Sequence, residues 1–143
     1  MQLALQLLAA AILALIVTII HGTGVVGMNR LFNYEDRELR GRTLIAREFE
    51  LMVPMAFCLF VLHTLEILVF AIFYLAAGAL HGLEEALYYS ASAYTTLGHG
   101  SGDLKSWRLV GAFEGLVGFL LIGWSAAIFV TDMERVLRKR TGG

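Results

Sequence analysis

Three long apolar stretches, separated by charged connections, constrain this chain more than any other feature of its 143 residues. Leu3 to Met28 contains no Asp, Glu, Lys or Arg, Leu51 to Leu80 contains only Glu66, and Leu109 to Thr131 contains only Glu114. A helix rises about 1.5 Å per residue, so roughly 20 residues cross a hydrocarbon layer about 30 Å thick. All three stretches reach that length. Composition agrees, with 58% hydrophobic and 16% charged residues, against about 25% charged in ordinary soluble domains. No basic residue stands in Met1-Gln2-Leu3, so the first stretch reads as a retained helix rather than a cleaved leader. The expected class is an all-α membrane protein with three transmembrane helices in contact with lipid.

The Lys and Arg residues set the expected orientation. Five of the eleven lie in 29–50 (Arg30, Arg37, Arg40, Arg42, Arg47), and four more are Arg135, Arg138, Lys139 and Arg140. Cytoplasmic connections collect such residues, which places 29–50 and the C-terminus inside and the N-terminus with 81–108 outside. Apolar Leu31, Phe32, Leu39, Leu44, Ile45 and Phe49 are scattered among the charges of 29–50, so this stretch reads as an interfacial helix or a solvated connection. A net charge of -1 offers no surface for nucleic acid. The lone Cys58 builds neither a disulfide nor a cysteine-based zinc site. No Ser/His/Asp set, phosphate loop or dinucleotide fingerprint is present, so neither an enzyme nor a cofactor is expected. The dozen residues after Thr131 are too few for a soluble regulatory module.

The segment 81–108 is not a simple loop. Leu83 to Tyr94 reads as a short helix preceded by Gly82, with Glu84 and Glu85 at the positive end of its dipole. Twelve residues are too few to cross, so the segment reads as re-entrant between the second and third spans. Thr96-Leu97-Gly98-His99-Gly100 follows it. A dehydrated cation needs several oxygens at once, and successive backbone carbonyls aimed at one axis supply them. Gly98 and Gly100, spaced by two, provide backbone freedom for that row. Thr96 adds a hydroxyl, and the negative end of the short helix favours a cation nearby.

The run Tyr88-Tyr89-Ser90-Ala91-Ser92-Ala93-Tyr94-Thr95-Thr96-Leu97-Gly98-His99-Gly100 resembles the potassium-channel pore signature, whose filter reads Thr-Val-Gly-Tyr-Gly followed by Asp. The likeness covers about residues 83–130. A small bacterial group of ion channels, with one extra helix ahead of two pore helices, looks most similar. The apolar and charged stretches give a transmembrane helix at 1–28 and a cytoplasmic interfacial linker at 29–50, and with them the resemblance implies a pore domain at 51–143. That domain divides into outer helix 51–80, pore helix 83–95, filter 96–100, inner helix 108–131 and a short basic tail. It also implies a homotetramer around a central pore in the bacterial plasma membrane, with K+ held by the filter carbonyls and the Thr96 hydroxyl. Tyr88, Tyr89 and Asp103 stand where the family braces its filter, and Gly118 where its inner helix has a hinge. His99 replaces Tyr, and Ser101-Gly102 intervene before Asp103, so a non-selective cation channel is the alternative. A non-conducting membrane scaffold or sensor is another.

Polar residues inside the spans are costly and therefore informative. His63 and Glu66 share one face of the second helix, and a clasp of Glu66 with His63 or His21 is the favoured reading over a proton relay or a metal site. Glu114 is expected to support the filter from behind or to hydrogen-bond a Ser or Thr of the pore helix. Gly111, Gly115 and Gly118 make a small-residue stripe open to close helix packing. Ile122, Ala126, Ala127 and Val130 are candidates for the inner pore lining. Pro54 is expected in the first turn of the second span. His99 is either a pH-sensitive ring at the outer mouth or a partner of Tyr88 or Tyr89.

Overall fold

Apolar side chains recur along the spans at helical spacing, and each span puts one narrow stripe inward. Ala10, Leu13, Val17, His21, Val25 and Met28 are the buried face of the first helix, and Leu59, Leu62, Glu66, Phe70 and Tyr74 that of the second. The computed structural model describes residues 2–38, 44–98, 104 and 106–138. It contains four helices among them: α1 (Gln2–Glu38), α2 (Leu44–Ala76), α3 (Leu83–Tyr94) and α4 (Arg108–Arg138). No strand occurs among the described residues. Three helices are long and apolar enough to cross a membrane, over Leu3–Phe32, Phe49–Ala76 and Arg108–Glu134.

Within the stretch 29–50, expected as an interfacial helix or a solvated connection, residues 39–43 lie outside the described residues. Its residues up to Glu38 prolong α1, and those from Leu44 open α2. No Gly or Pro lies between Met28 and Glu38 to stop the first helix. Pro54 consequently falls well inside α2 instead of in its first turn. α2 ends where Gly78 adopts φ +65°. Ala79 N–H donates to Tyr74 O at 2.9 Å and Gly78 N–H to Leu75 O at 3.1 Å, the paired bonds of a Schellman turn.

α1 packs on α2 and α4, and α3 is wedged between α2 and α4. Cross-contacts give the directions. Leu109 N–H donates to Gln6 Oε1 at 3.1 Å, at the starts of α4 and α1, so these two run parallel. Met28 meets Met55 near the far end, so α2 runs against them. The larger core gathers Val17, Phe70, Tyr74, Leu80, Ala86, Leu104, Val110 and Leu121.

α3 descends from the α2–α3 connection to the middle of the bundle. Ser90 meets Ile67 and Glu114, and one turn deeper Tyr94 meets His63 and Glu66. The chain then returns to Leu104, buried in the larger core, and to Trp107, whose ring stands edge-on to Phe73 at 5.0 Å. The described residues of 81–108 thus enter and leave on the same side of the bundle, as a re-entrant segment is expected to; 99–103 and 105 lie outside them. The glycine stripe of α4 receives α3: Tyr89 covers Gly111, Ala93 O approaches Gly115, and Tyr94 covers Gly118.

A side chain at Gly118 would collide with the backbone of Tyr94, which cannot swing aside as a flexible side chain can. Gly118→Leu is therefore expected to destabilise the chain by about 1–3 kcal/mol or more, read as a lowered thermal midpoint in detergent. Gly22→Ala, with open space around it, should leave the midpoint unchanged or slightly raised.

Candidate functional site

The end of α3 and the residues after it form the centre of the candidate site. Thr95 closes the helix, its N–H donating to Ala91 O at 3.0 Å and its hydroxyl to the same carbonyl at 2.7 Å. Thr96 then takes φ +60° and Gly98 φ +77°. Glycine adopts such angles without cost, but a threonine there is strained by about 1–3 kcal/mol. The surrounding bonds hold the turn in place: Thr96 N–H donates to Ala93 O at 3.0 Å and Gly98 N–H to Ser92 O at 3.2 Å. The positive φ of Thr96 is a departure from the sequence reading, which assigned the permissive positions to glycine alone.

Thr96, Leu97 and Gly98 are exposed on the chain, with Leu97 82% accessible. A groove of about 880 Å³ runs beside them, lined by Ala93, Thr96 and Gly98 on one side and by Gly115, Leu116 and Phe119 of α4 on the other. His99, Gly100 and Asp103, expected as filter and filter support, lie outside the described residues.

Two buried carboxylates hold α3 from behind. Glu114 of α4 accepts a hydrogen bond from Tyr74 of α2 at 2.7 Å and one from Ser90 of α3 at 2.5 Å. The expected bond to a pore-helix hydroxyl is thus made by Ser90, and Tyr74 is a partner the sequence reading did not foresee. Tyr89 is buried edge-on to Tyr74, with ring centroids 5.2 Å apart, while Tyr88 is 62% exposed.

The second carboxylate, Glu66, gathers residues from three helices. His21 Nδ1 lies 2.8 Å from its Oε1, His63 Nδ1 3.0 Å from its Oε2, and the Tyr94 hydroxyl donates to Oε2. Ser125 Oγ of α4 stands 3.5 Å from His21 Nε2, which brings the fourth helix to the cluster. Glu66, His21 and Tyr94 are fully buried. The clasp foreseen between the first two helices therefore exists with both histidines, and it extends to α3 through Tyr94. Signals for the missed residues were present: Ser90 and Tyr94 are four apart on α3, and Glu114, Gly118, Leu121 and Ser125 recur along one face of α4.

On α4, Gly118 lies buried against Tyr94, so a contact that excludes any side chain occupies the proposed hinge position. Ile122, Ala126, Ala127 and Val130, expected as the inner pore lining, are exposed on the chain surface.

Glu114→Leu would leave the Tyr74 hydroxyl without its acceptor, while Ser90 keeps Ile67 O at 2.8 Å. A loss of about 1–3 kcal/mol is expected for an orphaned buried donor, read as a lower thermal midpoint. Tyr74→Phe in the Glu114→Leu background should recover part of that loss.

A family model described as ion channel matches residues 56–135, from within α2 to near the end of α4 and more than half of the chain. No curated protein and no solved structure matches it.

Proposed function

The chain belongs to the ion channel family and is an integral membrane protein, and from that premise we propose that it is one subunit of a homotetrameric, potassium-permeable cation channel. Its filter is the backbone of Thr96-Leu97-Gly98-His99-Gly100. The observation that carries this reading is the course of α3, which stops midway along the spanning helices and passes directly into a turn with positive φ at Thr96 and Gly98. Angles alternating at every second residue are what a row of carbonyls turned to one axis needs. The C-terminal end of α3 points its negative dipole at the same place.

One chain supplies one such row, and an ion stripped of water needs a ring of about four. The exposed position of Thr96 to Gly98 beside the groove on α4 supports that assembly, since these residues face away from their own core. K+ is the substrate, held in passage by the carbonyls and by the Thr96 hydroxyl. Ile122, Ala126 and Val130 continue the route on the inner side. The distribution of Lys and Arg supports a plasma-membrane orientation with the N-terminus outside and the C-terminus in the cytoplasm. Glu114, Tyr89 and the Glu66 cluster support the filter by fixing α3, and Tyr88 and Asp103 complete that support at its rim.

Purified protein in planar bilayers, with K+ on one side and Na+ on the other, is expected to reverse near the potassium equilibrium potential. Reversal near zero with cation over anion preference would instead select the non-selective reading, for which His99 and the inserted Ser101-Gly102 are the cause. Gly98→Ala places a side chain where φ is +77° and is expected to abolish the current while the oligomer keeps its size. Persistent current in that variant would remove residues 96–100 from the ion path, and no current from the wild type would favour a scaffold.

A further inference from the structure

The Glu66 cluster has a chemistry that filter support alone does not require. His21, His63 and Glu66 each bring one potential ligand atom to within 4.8 Å of the others. Both histidines turn the same ring nitrogen to the carboxylate, at 2.8 and 3.0 Å. The Tyr94 hydroxyl, 3.0 Å from His63 Nδ1, brings a fourth donor to the same point. We propose that these four side chains form an intramembrane binding site for a divalent transition-metal ion of the zinc type.

Geometry and charge both bear on the assignment. Ligands about 2.1 Å from a tetrahedral Zn²⁺ stand roughly 3.4 Å from each other. The two His–Glu66 separations and the His63–Tyr94 separation, 2.8 to 3.0 Å, are shorter than that by about half an ångström, and the Tyr94 hydroxyl stands closer still to Glu66, so the four side chains must spread to take up an ion. Two imidazoles and a carboxylate are borderline donors that suit Zn²⁺. Without an ion, Glu66 is a buried carboxylate whose partners among the described residues are two histidines and a tyrosine, with no Lys or Arg paired to it. An ionised carboxylate in an apolar interior is expensive unless compensated. Zn²⁺ with neutral imidazoles, the Glu66 carboxylate and a Tyr94 phenolate sums to zero charge.

Proton positions also balance. On binding, each imidazole carries its proton on Nε2 instead of Nδ1, and the Tyr94 hydroxyl proton leaves to solvent. His21 Nε2–H then faces Ser125 Oγ at 3.5 Å, the outer-shell oxygen that a metal-bound histidine ordinarily keeps. Trp124 packs against the His21 ring at 5.1 Å between centroids and walls that side. The consequence is mechanical. Tyr94 is the last residue of α3, one position from Thr95 and two from Thr96, so an ion here ties the base of the candidate filter to α1 and α2. The site stands whether or not the chain conducts.

The test uses the full chain in detergent, purified without a polyhistidine tag, stripped by a chelator and exposed to Zn²⁺ alone. One Zn²⁺ per chain is expected by elemental analysis after buffer exchange. Co²⁺ should give the visible absorption bands of a low-coordinate nitrogen and oxygen site, abolished by Zn²⁺. Glu66→Gln and His63→Gln keep a hydrogen-bonding group, and each is expected to weaken retention by more than the roughly tenfold that losing a mere hydrogen-bond partner of a ligand costs. His81→Ala, which changes an exposed histidine of the α2–α3 connection, should retain Zn²⁺ like the wild type. A wild-type chain that keeps no Zn²⁺ and shows no Co²⁺ bands overturns the proposal even where a variant fails to fold. Equal retention by Glu66→Gln and the wild type overturns it as well.

Discussion

A carboxylate inside an apolar helix has to be compensated by neighbours, and this chain places two such groups where compensation dictates how the helices meet. Leaving an ion unpaired in a low-dielectric interior costs several kcal/mol, comparable to the stability of a whole small domain. Glu114 therefore draws the Tyr74 and Ser90 hydroxyls to one level, and Glu66 draws His21, His63 and Tyr94 to another. Each group joins α2, α3 and, through His21 or its own backbone, α1 or α4. Dispersion among apolar side chains in a membrane is nearly indifferent to rotation and sliding, because lipid offers similar contacts. Directional bonds to two fixed oxygen pairs are not indifferent.

The position of α3 follows from these two levels and from the glycine face of α4. Gly111, Gly115 and Gly118 let Tyr89, Ala93 and Tyr94 approach the α4 backbone. Ser90 and Tyr94, one turn apart, then reach the two carboxylates in sequence. The helix consequently stops at mid-depth, and the strained turn at Thr96 is held by main-chain bonds on α3. The strain is sustained because the surrounding contacts over-determine it.

A rigid back and an open front result. The polar groups lie on the inner side of α3, while Thr96, Leu97, Gly98 and much of α4 remain accessible beside a groove of about 880 Å³. That groove has Ala93, Thr96 and Gly98 on one side and Leu116 and Phe119 on the other. Tyr94 joins the Glu66 cluster directly to the turn at Thr96, since it donates to Glu66 and stands two residues before that threonine.

Several levels of organisation were legible in the residues alone. The three spans could be counted because hydrocarbon thickness demands a length that composition reveals, and α3 stood out as a helix too short to cross. The His63–Glu66 pair was readable from its i, i+3 spacing on one helix. Other features depended on tertiary structure. The stretch 29–50 carries charges of both signs that suit several conformations, and only the folded chain divides it between α1 and α2. Tyr74, Ser90, Tyr94 and Ser125 look like ordinary aromatic and hydroxyl residues until separate helices meet, because a hydrogen bond across 24 to 104 positions leaves no local periodicity. Sequence by itself determined which segments enter the membrane and which carry charge there, since transfer from water depends on composition. Which side chains compensate that charge was decided only by packing, since it depends on the rotation and depth of each helix against the others.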